Sequence, residues 1–294
     1  MKLAGKHVTR YWYSDDVSTS HTEIHLTPRN RPGQVVLEHQ LKVSPEPDFL
    51  VNRFDYFGNP VASFSVEQPH RELVVTAECL VDLTPQAEPY LAQSPPWEEA
   101  ADMMQRRPSL EALEASQFIF ESPLIQTGPM FAAYASESFV PGRPLLEAAN
   151  DLSGRIYREF KYDPRATTIS TPVDEVLLER HGVCQDFAHV MIACMRSLGL
   201  PARYVSGYLR TGMVGSEASH AWLAVWCPVL GWQDFDPTNN VIPQSNHVTL
   251  GWGRDYSDVT PVKGVALGGG EHVVQVSMEL KEVEGDRPRP GSPE

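Results

Sequence analysis

From 7 to about 84 the chain is broken into short apolar and aromatic runs between turn-forming segments, the pattern expected of strands. The segments 7–14, 21–26, 34–43, 61–66 and 72–83 are rich in β-branched and aromatic residues. Thr27-Pro-Arg-Asn-Arg-Pro-Gly33, Ser44-Pro-Glu-Pro47 and Tyr56-Phe-Gly-Asn-Pro60 separate them with turn chemistry. This pattern predicts an antiparallel β-sandwich over 1–85. The next stretch is acidic and carries Pro85, Pro89, Pro95 and Pro96, which reads as a linker over 86–107. Beyond Pro108 the period changes. Ser109 can cap a helix reaching Gln117, and Leu145, Ala149, Leu152, Ile156 and Phe160 recur at three- or four-residue steps, marking an amphipathic helix that stops before Asp163-Pro164. The chain thus reads as α+β, with a second domain over 108–283. The tail 284–294 has no apolar anchor and is expected to be disordered.

Between 180 and 240 the pattern carries chemistry. Phe187, Val190, Met191, Cys194 and Leu198 fall on one helical face, with Gly199 and Pro201 as stop signals, so Cys184 lies in the first helical turn. There the helix dipole favours the thiolate, and free backbone N–H groups can receive an oxyanion. Cys194 lies further along the apolar side, and Cys79 and Cys227 lie in strand-like segments; all three read as packed core thiols. Segments 202–209, 219–226 and 232–238 read as strands, the last two forming a hairpin. For a turn centred on Pro228 or Val229, His220 and Asp236 fall opposite or diagonal to one another on one face. A carboxylate there holds the imidazole's tautomer and stabilises the imidazolium, which in turn can hold Cys184 as thiolate.

Composition narrows the classes. With 24 Lys+Arg against 38 Asp+Glu the formal charge is −14, and no basic block offers a patch for nucleic acid or an anionic membrane. No apolar run approaches a membrane span, and the first residues lack the apolar stretch of a secretory signal, so the expected location is cytoplasmic. The four cysteines show no Cys-x-x-Cys or zinc-ligand spacing. His21 and His25 lack a nearby third ligand, His181 reads as a solvated loop residue, and the glycine loop 211–216 lacks the Gly-Lys-Ser/Thr ending of a phosphate loop. No metal or cofactor is expected. Gly268-Gly-Gly270 reads as a turn between strands 259–266 and 272–280, and Trp222, Trp226, Trp232 and Trp252 mainly as core, with Trp222 on the His220 face.

Gly182-Val-Cys184-Gln-Asp-Phe-Ala, Gly199-Leu-Pro-Ala-Arg-Tyr-Val-Ser-Gly207-Tyr, His220-Ala-Trp, Gly231-Trp and Phe235-Asp236-Pro-Thr, in that order, resemble the transglutaminase-like cysteine-enzyme superfamily, whose core is papain-like. His25-Leu-Thr-Pro-Arg29, Asp55-Tyr-Phe-Gly-Asn-Pro60 and Pro69-His-Arg-Glu-Leu73 resemble the β-rich region that precedes this core in bacterial members, and Asp255-Tyr-Ser-Asp-Val-Thr-Pro261 resembles their downstream segment. The resemblance implies Cys184 as nucleophile, His220 as general base and acid and Asp236 as orienting carboxylate. It implies acyl transfer from a peptide or protein substrate, with hydrolysis favoured, lysine crosslinking as the alternative and a non-catalytic scaffold as a further one. One departure stands out: where the family usually has Glu four residues after the histidine, this chain has Ala224. Its absence would favour water over a cationic amine as acceptor. Oligomeric state is left open.

Overall fold

The computed structural model describes residues 1–85, 90–106 and 109–283. Its first strands are β1 (Lys2–Ile24), β2 (Gln34–Ser44), β3 (Phe49–Phe54), β4 (Pro60–Val66) and β5 (His70–Leu83). Helices α1 (Trp97–Arg106), α2 (Leu110–Ser116), α3 (Pro129–Ser136), α4 (Leu145–Glu159), α5 (Val173–Glu179) and α6 (Cys184–Ser197) follow. The short strands β6 (Lys161–Tyr162) and β7 (His181–Gly182) pair in parallel just ahead of α6. The remaining strands are β8 (Ala202–Leu209), β9 (His220–Cys227), β10 (Gly231–Phe235), β11 (His247–Gly253), β12 (Val262–Gly268) and β13 (His272–Val283).

One seven-stranded curled sheet stands where a sandwich of separate layers was expected. β1 is its axis. Its amino-terminal half lies between β5 and β13, and its carboxy-terminal half between β4 and β12. The pairing is irregular between Trp12 and Val17 on one edge and between Val17 and Thr19 on the other, where the exposed Ser14, Asp15 and Asp16 mark the bend. Gly268, Gly269 and Gly270 follow that bend with positive φ, and a Cβ on Gly268 would stand 2.7 Å from the Asp16 carbonyl oxygen. The three glycines therefore do not reverse the chain as a turn would. β12 and β13 continue along the same edge of β1.

Three expectations change. The strands at 262–283, assigned by sequence to the domain 108–283, complete the amino-terminal sheet because β1 offers them an unpaired edge. Part of the stretch read as linker is α1, which buries Ala100 and Met104; Pro95 and Pro96 stand before the helix, where proline does not disrupt it. β3, α3 and α5 are additional elements; β3 is an edge strand exposed throughout, with no alternation to reveal it. The expected capping by Ser109 is present, its side chain accepting from the Ala112 amide, and α4 buries Leu145, Ala149, Leu152 and Ile156. The tail 284–294, residues 86–89 and 107 of the expected linker and residue 108 lie outside the described residues.

The second sheet has the order β10-β9-β8-β11. Alternate residues of β9, Ala221, Leu223, Val225 and Cys227, share a core with Phe187, Val190, Met191 and Cys194 of α6. Leu3, Val81 and Leu280 of the curled sheet meet Tyr208, Val248 and Leu250 in another cluster, which joins the two sheets. Burial of these side chains supplies the main driving force, about 1.5–3 kcal/mol for each large aliphatic residue. No helix among the described residues is long and apolar enough to cross a membrane.

Candidate active site

Cys184 is the first residue of α6 and is buried. The turn that places it is braced by Asp186, whose Oδ2 accepts from the Val183 amide at 2.8 Å and from Thr167 Oγ1 at 2.6 Å. Burial pushes the Asp186 carboxyl up, with these two hydrogen bonds opposing the shift. Gly182 leaves the space for this brace, since a Cβ there would lie 2.5 Å from the same oxygen. At a helix start the leading amides have no intrahelical acceptor, so they remain available beside the sulfur.

His220 opens β9 and Asp236 directly follows β10. The ladder pairs Trp232 with Trp226 and Asp234 with Ala224, which makes His220 and Asp236 diagonal neighbours on one face, as the hairpin arithmetic allowed. Nε2 of His220 lies 2.9 Å from Oδ2 of Asp236 and is the donor, since an ionised carboxylate only accepts. Oδ1 accepts from the amides of Thr238 and Asn239, at 2.9 and 3.3 Å, and the Asn239 side chain donates to Oδ2 at 2.9 Å.

Burial opposes charge on His220, but Asp236, followed by Cys184, outweighs it and the imidazole is pushed up to about 10. Burial likewise opposes charge on Asp236, yet His220 and His247 hold its carboxyl well below the usual range. Cys184 acts on the ring through charge and at hydrogen-bonding range, whereas Nδ1 of His220 meets no partner at full hydrogen-bond geometry. The contact is therefore close but loose.

The structure adds residues that the sequence reading lacked. His247, the first residue of β11, also donates to Asp236 Oδ2, at 3.0 Å, and burial pushes its imidazole down, leaving it neutral. Tyr162, Tyr204 and Tyr256 surround Cys184 closely enough to feel its charge; burial pushes all three phenols up, Tyr162 to about 12. Gly215, in the β8–β9 loop, lies so near the imidazole that a Cβ would stand 2.9 Å from Nδ1. Trp222, expected on the His220 face, stacks beside that ring with centroids 6.1 Å apart. His220, Asp236 and His247 place ligand atoms within 4.8 Å of one another, close enough to share a metal ion, but those same atoms are engaged in the two imidazole–carboxylate hydrogen bonds.

Other expectations resolve locally. Burial pushes Cys79 up to about 11 and raises Cys194 as well, and Cys227 is fully buried. His181 is partly buried in β7, and Nε2 of His189 accepts from the Tyr256 amide inside the core. Ala224 pairs directly with Arg203 of β8 and Asp234 of β10. A carboxylate at 224 would thus meet Arg203 before any acceptor near Cys184, so the missing Glu does not by itself explain acceptor choice.

Residues 4–82 match the bacterial transglutaminase-like N-terminal region, and residues 132–237 match the transglutaminase-like superfamily. The chain is 40% identical over 295 residues to an uncharacterized protein of Mycobacterium tuberculosis, covering 95% of this chain and 92% of the relative. Over 108 residues it is 32% identical to the protein-glutamine gamma-glutamyltransferase of Pseudomonas aeruginosa, a match spanning 32% of this chain and 16% of that protein. A solved structure of a candidate cysteine protease from Cytophaga hutchinsonii shares the fold, with a TM-score of 0.75 at 20% identity over 98% of this chain and 92% of its own.

Proposed function

The chain belongs to the transglutaminase-like superfamily, whose members are usually enzymes, and from that membership we propose that it hydrolyses peptide or amide bonds through Cys184, His220 and Asp236. The observation that carries this reading is the His220 imidazole, held between the Asp236 carboxylate at 2.9 Å and the Cys184 sulfur at the start of a helix. A helix-start thiol packed against an antiparallel sheet also supports a papain-like core.

Cys184 attacks the carbonyl carbon as thiolate, and the carbonyl electrons move onto oxygen. Amides at the start of α6 stabilise that oxyanion. Collapse expels the amine, which takes its proton from His220 and leaves a thioester. Neutral His220 then removes a proton from water as the water attacks the thioester; release of the acid restores the thiolate–imidazolium pair. Throughout, Asp236 keeps the ring oriented and stabilises its charged form.

Water as acceptor is supported by the engagement of the carboxylates beside Cys184. Asp236 already takes the two imidazoles, and Asp186 takes the Val183 amide and the Thr167 hydroxyl, so neither is free to hold a lysine ammonium. Amine transfer is the second reading, supported by the similarity to the glutamyltransferase over the core. A glutamine-containing peptide pool, offered with and without a biotinylated primary amine, separates them. We expect cleaved peptide or released ammonia to exceed biotinylated product and both to vanish in Cys184→Ala. Dominant biotinylation at millimolar amine would assign crosslinking instead, and Cys184-independent product would remove the site.

A further inference from the structure

Behind the proposed triad, on the sheet face away from α6, lies a cavity of about 690 Å³. That volume suits a small molecule. Cys184 and His220 do not line it. Arg203 stands in its wall, 7% exposed, with its guanidinium 4.2 Å from the ring centroid of Trp232 and 3.8 Å from that of Trp252. Among the described residues nothing accepts a hydrogen bond from this guanidinium, and its Nε is buried without a partner. A buried N–H left without an acceptor is costly unless one arrives.

The neighbouring charges neutralise it only in part. Asp234 is the carboxylate in the lining; its Oδ2 takes Arg31 at 2.8 Å and its Oδ1 makes no hydrogen bond. Burial pushes the Arg203 guanidinium down to about 9; Asp234 opposes this, and Arg31 and Arg29 add to it. The lining thus carries two guanidiniums against one carboxylate, an excess positive charge between indole walls. The small side chain of Ala224, cross-strand from both Arg203 and Asp234, puts no acceptor between them.

We propose that this cavity is a binding site for a small carboxylate with an apolar or aromatic body. Arg203 receives the carboxylate through its planar fork, and Trp222, Trp232 and Trp252 enclose the body. Arginine fits this task because two parallel N–H donors match the two carboxylate oxygens. The site adjoins the triad through His247 and Trp222 without including Cys184, and its test does not depend on turnover.

Benzoate is the probe, followed by calorimetric titration and by the fluorescence of the flanking tryptophans, with neutral benzamide and inorganic phosphate as comparisons. Saturable one-to-one benzoate binding is expected, with benzamide at least about tenfold weaker, a loss of roughly 1.4 kcal/mol. Cys184→Ala should bind benzoate normally, since the thiol does not line the cavity. Arg203→Gln should abolish binding. So should Ala224→Glu, which sets an internal carboxylate opposite Arg203 and tests the claim even where removal of the arginine impairs folding. No saturable benzoate binding up to about 50 mM would overturn the proposal, since that limit leaves under ~2 kcal/mol of affinity. Equal affinity for benzamide, unchanged binding in a folded Ala224→Glu, or binding of phosphate with exclusion of benzoate would each overturn the carboxylate assignment.

Discussion

His247 donates from Nε2 to Asp236 Oδ2 at 3.0 Å, the same oxygen that receives His220. Asp236 is thereby fixed between two imidazoles, one charged and one neutral. In the proposed mechanism His247 acts through the carboxylate, as a positioning residue. His247→Ala should lower kcat about tenfold with little change in KM, the size seen when a positioning partner is lost. It should also cost about 1–3 kcal/mol of stability by leaving a buried acceptor short of a donor. His247→Gln, which keeps an N–H donor, should recover part of both. Unchanged kcat in His247→Ala, measured on any turned-over peptide, would remove His247 from the site.

Cys184 and His220 were legible because their signals are local: a helix-face pattern ending in Gly199 places the thiol, and a short hairpin places the histidine beside Asp236. His247 was not. It reaches Asp236 only because β11 pairs with β8 after a loop whose length gives no register, and the β8–β11 ladder contains an irregularity between Thr249 and Gly251. The same limit hid the placement of β12 and β13 on β1, a pairing between the two ends of the chain. α1 was concealed by prolines that precede a helix rather than interrupt one.

Removing Asp236 and removing the nucleophile should have different effects. Asp236→Asn keeps Cys184 but lets the imidazole adopt the wrong tautomer, so turnover should fall about 10⁴-fold while an acyl-enzyme is still formed slowly. Cys184→Ala should form none. Intact-mass measurement after mixing with a reactive ester substrate reads both outcomes, and full activity in Asp236→Asn would exclude its orienting role.

Stability should follow the same ion pair. Because His220 is raised from 6.5 to about 10, its contribution is fully present below about pH 6.5 and is lost as pH rises through about 10. Because Asp236 is depressed, its contribution is present above the usual carboxylate range and is lost as pH falls through its lowered folded value. The Tm difference between wild type and His220→Gln should therefore be largest near pH 5–6 and shrink toward pH 10, the span between those two limits. A difference that grows with pH would contradict the charged assignment of His220.

Gly215 has φ 82, and its missing Cβ leaves the His220 ring its place. Gly215→Ala should displace the imidazole edge, slow turnover at least about tenfold and cost about 1–2 kcal/mol through left-handed backbone strain. Gly212→Ala, also at positive φ but with open space around its Cβ, should show the strain without the kinetic loss. Equal kinetics in the two variants would separate the loop from the ring.

In the proposed site His220 keeps Cys184 reactive, and competitive alkylation tests this without a known substrate. With limiting iodoacetamide at about pH 6.5, where an ordinary thiol is almost wholly protonated, site mapping of the wild-type protein should find Cys184 modified well ahead of Cys79, Cys194 and Cys227. His220→Ala should slow that modification at least about tenfold while the other three cysteines stay unreactive. Modification of Cys184 no faster than of the buried thiols, or a rate unchanged by loss of His220, would contradict the account.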